Sequence, residues 1–235
     1  MPGVQLSAGR GATIATMPDR VGFANLTLDQ FVDRLASDEP VPGGGSASAL
    51  AGALAGALLS MVCRLSLDRP KYEPYRSSIE RALEVGERAR RSLLALADED
   101  AAAYAAFVAA RKLPRDTPDE EAARAAATQA AARRASEAPL AVARECARLM
   151  EAIGAVAGRS NLNAASDIEV AARLCAAAAR GAAANVRINL PAVGDPRFTG
   201  GVTAELEGLL HGVDREAAEV SQRVARGELR GPEPG

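Results

Sequence analysis

The chain of 235 residues has no tryptophan, one histidine, three cysteines and two lysines, and aromatic residues make up only 3% of it. Each shortage narrows what the protein can do. β-Sheets favour aromatic and β-branched side chains, so a sequence this poor in aromatics points away from strands. A single imidazole, His211, all but excludes a zinc centre or a Ser-His-Asp hydrolase. The cysteines Cys63, Cys146 and Cys175 are odd in number, far apart and set in apolar, helix-like stretches without a CxxC pair. They read as reduced thiols, and a cytoplasmic protein is expected. Positive charge is not in excess: 28 Lys and Arg against 30 Asp and Glu leave a formal charge of -2, so the footprint of a nucleic-acid binder is missing. The first twenty residues hold no apolar core of signal-peptide length. Residues 46–65 come nearest to a membrane span, but they are rich in Ala, Ser and Gly, which gain little in lipid, and Arg64 lies at their end. No membrane partner is expected.

What is abundant is alanine, 54 residues within a hydrophobic share of 48%. Alanine is the best helix former and the smallest, so closely packed helices follow. The parallel excess of arginine, 26 residues, marks part of this as compositional bias. Thr27-Leu28-Asp29-Gln30 is a capping box that opens a short helix to about Ser37. Pro and Gly within 38–45 break it, and Ser46 opens an apolar helix to about Ser66, in which Gly52 and Gly56 let a neighbour approach the backbone. After a connection carrying Lys71, Ile79, Leu83, Leu93, Leu96, Tyr104 and Phe107 recur at helical spacing and predict a helix of about ten turns over 75–111. Thr117-Pro118-Asp119-Glu120 starts a fourth helix, expected to kink at Pro139 and fade by 154–158. A fifth runs toward Asn189, and after loop signals at Pro191, Gly194, Pro196, Gly200 and Gly201 a sixth is expected from about Thr203 to Gly227. The expected fold is all-α: a single domain over 25–230, a bundle of about six helices, two of them long, between loose tails at 1–24 and 231–235.

Three polar segments stand out. Pro40-Val41-Pro42-Gly43-Gly44-Gly45-Ser46 leads into a helix start, where glycines reach φ > 0 and let a ligand approach N–H groups at the positive helix end. Alternatively it is only a flexible turn; it is neither a P-loop nor a dinucleotide fingerprint. The adjacent carboxylates of Asp98-Glu99-Asp100 can form a solvated face. Helix geometry nevertheless sets Asp100 and Tyr104 on the apolar side with Leu96 and Phe107, and Glu99 elsewhere. A carboxyl group facing a packed interior has a raised pKa and suits proton transfer near neutrality. Asn161-Leu162-Asn163-Ala164-Ala165-Ser166-Asp167 offers two amides and a carboxylate to an aminopyrimidine-like ring, or Ser166 and Asp167 cap the next helix. Asn185 and Asn189 share a face of that helix, either for a ligand or for buried carbonyls. His211 reads as structural or exposed.

The order of these segments, with Leu113-Pro114-Arg115 after DEDAAAY (98–104) and NVRINLP at 185–191, resembles the cyclodeaminase/cyclohydrolase family over about residues 25–230. That family comprises the C-terminal half of formimidoyltransferase-cyclodeaminase and its stand-alone bacterial relatives, including methenyltetrahydrofolate cyclohydrolases. The resemblance implies an all-helical homodimer acting on a reduced folate, without a metal or redox cofactor.

 It implies that Asp100, the second Asp of the D-x-D-A segment, is the catalytic proton donor and acceptor. Gly43, Gly44, Gly45, Ser46, Tyr104, Asn161, Asn163, Asp167, Asn185 and Asn189 are then expected around the folate, with Lys71, or Arg69 or Arg115, on the anionic tail of a polyglutamylated substrate. The reaction implied first is that of a formimidoyltetrahydrofolate cyclodeaminase: N10 attacks the amidine carbon held on N5, and ammonia leaves to give 5,10-methenyltetrahydrofolate. The alternative is methenyltetrahydrofolate cyclohydrolase, in which water adds to the same carbon and 10-formyltetrahydrofolate results. The transferase half of the bifunctional protein has no counterpart in this sequence. A non-catalytic helical scaffold is the remaining alternative, and it predicts no protection of the fold by tetrahydrofolate.

Overall fold

The computed structural model describes residues 22–232, and among these the chain forms six α-helices and no strand. α1 (Leu28–Ala36) opens on the expected capping box: Gln30 N donates to Thr27 Oγ1 at 3.2 Å and Thr27 N to Gln30 Oε1 at 3.0 Å. α2 (Gly44–Leu67), α3 (Arg76–Arg111), α4 (Pro118–Val156) and α5 (Ala165–Asn189) make a four-helix bundle. α2 packs between α3 and α5 with α4 across the bundle, and α6 (Pro196–Arg226) lies over α4 and α5. The two long helices are α3 and α4, with 36 and 39 residues.

Small residues set the helix spacing. A Cβ added at Gly52 would stand 3.0 Å from Leu93 Cδ1 and 3.2 Å from Cys146 Sγ, and one at Gly56 would stand 3.0 Å from the Gly86 carbonyl. α2 therefore approaches α3 almost backbone to backbone, as the Gly52/Gly56 spacing predicts, and gains dispersion contacts that larger side chains would prevent. α2 is long and apolar enough to cross a membrane by length and composition, but half of its apolar window is buried in this bundle. Cys63, Cys146 and Cys175 are free and buried; burial pushes the Cys63 thiol up to about 12.

α4 passes through Pro139 as one helix. Proline has no N–H, so the Ala135 carbonyl loses its helical donor; Asn189 Nδ2 replaces it at 2.8 Å. α6 starts at Pro196, earlier than the expected residue 203, because Asp195 accepts from Arg197 N and Phe198 N and Pro196 fits the first helical position. Gly200 and Gly201, which signalled a loop, lie inside that helix facing open space. Of the expected N-terminal tail, residues 1–21 lie outside the described part, and Phe23 packs edge-on against Phe31 with ring centroids 5.6 Å apart. At the other end residues 233–235 lie outside it, while Gly231 O accepts from Arg159 Nε at 2.8 Å.

Candidate active site

Gly43 is extended, with φ -125° and ψ -161°, and as N-cap it offers no side chain to α2; of the first N–H groups at the helix's positive end, that of Ser46 is turned to the Asp100 carboxylate. None of the three glycines takes a positive φ; that expectation fails, and their value here is space. A Cβ added at Gly45 would overlap the Asp100 carboxylate, which α3 lays directly against the Gly45 backbone. Ser46, fully buried, donates from Oγ to the Ala97 carbonyl at 3.1 Å and lies 3.5 Å from Asp100 Oδ2. Burial raises the Asp100 pKa above the ordinary aspartate value, and the Ser46 hydroxyl and N–H, which favour the carboxylate, offset that only in part.

Ser46→Ala removes one of the two groups that hold this pKa down. The expected result is a limb of the pH–rate profile that moves to higher pH, read from kcat/KM across pH; a limb that stays put separates that ionisation from Asp100.

Across α2 from Asp100 stands α5. Asn185 Nδ2 lies 3.5 Å from the Cβ position of Gly44 and donates to the Gly181 carbonyl at 2.9 Å. The paired amides thus do serve buried carbonyls, Gly181 for Asn185 and Ala135 for Asn189, and each keeps its side-chain oxygen as an acceptor. Tyr104, one turn beyond Asp100, is 40% exposed. Gly43, Gly44, Gly45, Ser46, Asp100, Tyr104, Asn185 and Asn189 therefore gather at one end of the bundle.

Lys71, Asn161, Asn163 and Asp167 do not join them. Asn161 N donates to Ser66 Oγ at 2.9 Å, Asn161 Nδ2 to the Leu65 carbonyl at 3.4 Å, and Leu162 N to the Tyr72 hydroxyl at 3.2 Å. These bonds tie the segment to the C-terminal end of α2. Ser46 and Ser66 are near opposite ends of that helix, about 30 Å apart at 1.5 Å per residue. The expectation that all of these residues surround one ligand therefore fails within a single chain. Ser166 and Asp167 make no cap on α5; Asn161 caps the short turn Leu162–Ala164 by accepting from Asn163 N at 3.1 Å. Lys71 Nζ lies 5.8 Å from the centroid of the Tyr72 ring. His211 is exposed on α6.

The three acids at 98–100 have three surroundings. Asp98 Oδ1 accepts from Phe23 N at 2.8 Å and fastens the start of the described chain to α3. Beside that anchor a cavity of about 200 Å³ is lined by Phe23, Phe31, Leu50, Leu94 and Ala97, one turn along α2 from Ser46. Glu99 faces a separate groove of about 600 Å³ with Arg134, Arg144 and Phe198. The anchoring by Asp98 was not foreseen; the D-x-D spacing was its only sequence signal.

A sequence model described as formiminotransferase-cyclodeaminase matches residues 27–208, most of the chain. The chain belongs to the formiminotransferase-cyclodeaminase family. Within it, the methenyltetrahydrofolate cyclohydrolase of Methylorubrum extorquens is 40% identical over 200 residues, covering 85% of this chain and 94% of that protein. The formimidoyltransferase-cyclodeaminase of Sus scrofa is 36% identical over 197 residues, covering 84% of this chain but 36% of that protein, so the chain spans about a third of the bifunctional relative. The crystal structure of formiminotetrahydrofolate cyclodeaminase from Thermotoga maritima superposes with a TM-score of 0.78 at 30% identity, covering 86% of this chain and 98% of that one. The family's named members are folate one-carbon enzymes, and the all-helical single-domain fold is shared with that solved relative.

Proposed function

We propose that the protein is a folate one-carbon enzyme acting at the carbon between N5 and N10, with Asp100 carrying the proton. The observation behind this is the Asp100 carboxyl group, seated on Gly45 beside the start of α2, with its pKa raised by burial. Methenyltetrahydrofolate cyclohydrolase stands first, ahead of the order suggested by the sequence alone, because the 40% identical relative of that name matches along nearly its whole length. Asp100 as carboxylate takes a proton from water as its oxygen bonds to the methenyl carbon. As the carbon–N5 bond of the resulting carbinolamine breaks, Asp100 gives its proton to N5 and the hydroxyl proton passes to solvent, so 10-formyltetrahydrofolate leaves with net release of one proton. Water supplies the atoms and no hydride moves, so neither a metal nor a redox cofactor is required.

The second reading, formimidoyltetrahydrofolate cyclodeaminase, is favoured by the 30% identical solved relative. Asp100 would take the proton from N10 as N10 attacks the formimidoyl carbon, then protonate the departing ammonia. Both reactions pass through one bent folate pose, and holding N5 and N10 together is worth up to about 7–11 kcal/mol of the barrier. The protein is incubated with each folate while methenyl absorbance is followed. A catalysed decay of 5,10-methenyltetrahydrofolate is expected, a rise from the formimidoyl compound establishes the second reading, and no change with either refutes both.

A further inference from the structure

The segment ahead of α2 forms a wall that stands apart from the bundle core. Phe31 is the one buried residue of α1 and does not belong to the core cluster, while Val32 and Leu35 of the same helix are 51% and 38% exposed. Phe23 meets Phe31 edge-on, the single aromatic pair among the described residues of a chain with four phenylalanines. Asp98 fixes this wall to α3, its Oδ1 accepting from Phe23 N at 2.8 Å. What the two rings enclose is the cavity of about 200 Å³.

That cavity is apolar. Leu50, Leu94 and Ala97 complete its far side, no charged side chain lines it, and the Thr27 hydroxyl at its edge is turned to Gln30 N. About 150 Å³ of such space is enough to hold benzene, so one six-membered ring fits. Its position is as telling as its size. Ala97 precedes Asp100 by three residues on α3, and its carbonyl accepts from Ser46 Oγ, which lies 3.5 Å from Asp100 Oδ2. Leu50 is one turn from Ser46 on α2, so cavity and carboxylate are about one helical turn apart, roughly 5 Å. In a reduced folate N10 is bonded directly to the aminobenzoyl ring, and a folate that brings N10 to Asp100 must seat that ring close by. The cavity under Phe23 and Phe31 meets this demand; the groove beside Glu99, walled by Arg134 and Arg144, does not.

We propose that this cavity is the subsite for the aminobenzoyl ring, which packs edge to face against Phe23 and Phe31, and that Asp98 is a positioning residue that holds the wall through Phe23 N. The identity of the ring rests on the folate reading.

The test labels the protein with 4-fluorophenylalanine, whose four fluorine resonances are assigned by replacing one phenylalanine at a time. It is titrated with 5-formyltetrahydrofolate, with N-(4-aminobenzoyl)glutamate and with 6-methyltetrahydropterin, which lacks the ring. The first two are expected to shift Phe23 and Phe31 more than Phe107 and Phe198, and the pterin to leave that pair in place. Leu50→Trp, which fills the cavity with an indole, is expected to erase these shifts and to weaken the folate about tenfold or more, the worth of burying one ring, with pterin affinity within a few-fold of wild type. Asp98→Ala is expected to weaken the folate and not the pterin, and Asp98→Asn, which keeps an acceptor for Phe23 N, to restore it. A folate that binds without moving Phe23 or Phe31, or a Leu50→Trp protein that loses folate and pterin alike or neither, overturns the subsite while the folate reading stands. A wild type that binds neither folate nor pterin refutes the folate reading and the subsite with it.

Discussion

Replacing Asp100 by asparagine is expected to lower turnover about a hundredfold or more, the usual contribution of a positioned acid or base, and to leave the protein melting no lower than the wild type at neutral pH. The second half follows from the sign of the pKa shift. Asp100 holds its proton more tightly in the folded state than in the unfolded chain, because burial penalises the carboxylate. The folded wild type therefore loses stability as pH rises from the ordinary aspartate value through the raised one, and stays lower above it. An amide at this position carries no charge to desolvate. Turnover and thermal melting measured on the same preparation check both halves: a variant that is inactive because it is unfolded would contradict the account as much as one that keeps full activity.

Gly45→Ala is the second large effect. The added methyl would occupy the space taken by the Asp100 carboxylate, so the carboxyl group must rotate away from Ser46 or α2 must move from α3. A displacement of about 1 Å in a catalytic group is enough to cost on the order of a hundredfold in rate. Helix propensity alone would make the same change favourable by up to about 1 kcal/mol. The expected outcome is thus a rate loss out of proportion to any fall in melting temperature. Gly43→Ala is the comparison: its methyl meets only the Pro40 carbonyl, at 3.5 Å, and a much smaller loss of kcat/KM is expected.

The helix starts were legible where a cap was written in the sequence. Thr27 and Thr117 each make both bonds of a capping box. Asp195-Pro196 is an equally good start, but Gly200 and Gly201 masked it; nothing packs against them, so they weaken the helix without breaking it. The partial burial of Asp100 was legible from helical periodicity, because spacing alone sets its side of α3, but Tyr104, expected on the same packed side, is 40% exposed. The need for glycine at residue 45 was not legible, since it arises from a carboxylate that a different helix delivers. The partner of Asn189 was equally hidden: it is a carbonyl 54 positions away, left without a donor by a proline on another helix. Motif order was silent on which end of the bundle each motif reaches, and Asn161 is held by Ser66 at the end far from Asp100.

The most direct test of Asp100 as the proton carrier is to measure reduced-folate affinity and single-turnover rate side by side for wild type and Asp100→Asn. The account predicts that affinity stays within a few-fold while the chemical step slows about a hundredfold or more. An unchanged chemical step, or a rate loss explained wholly by lost affinity, would contradict it.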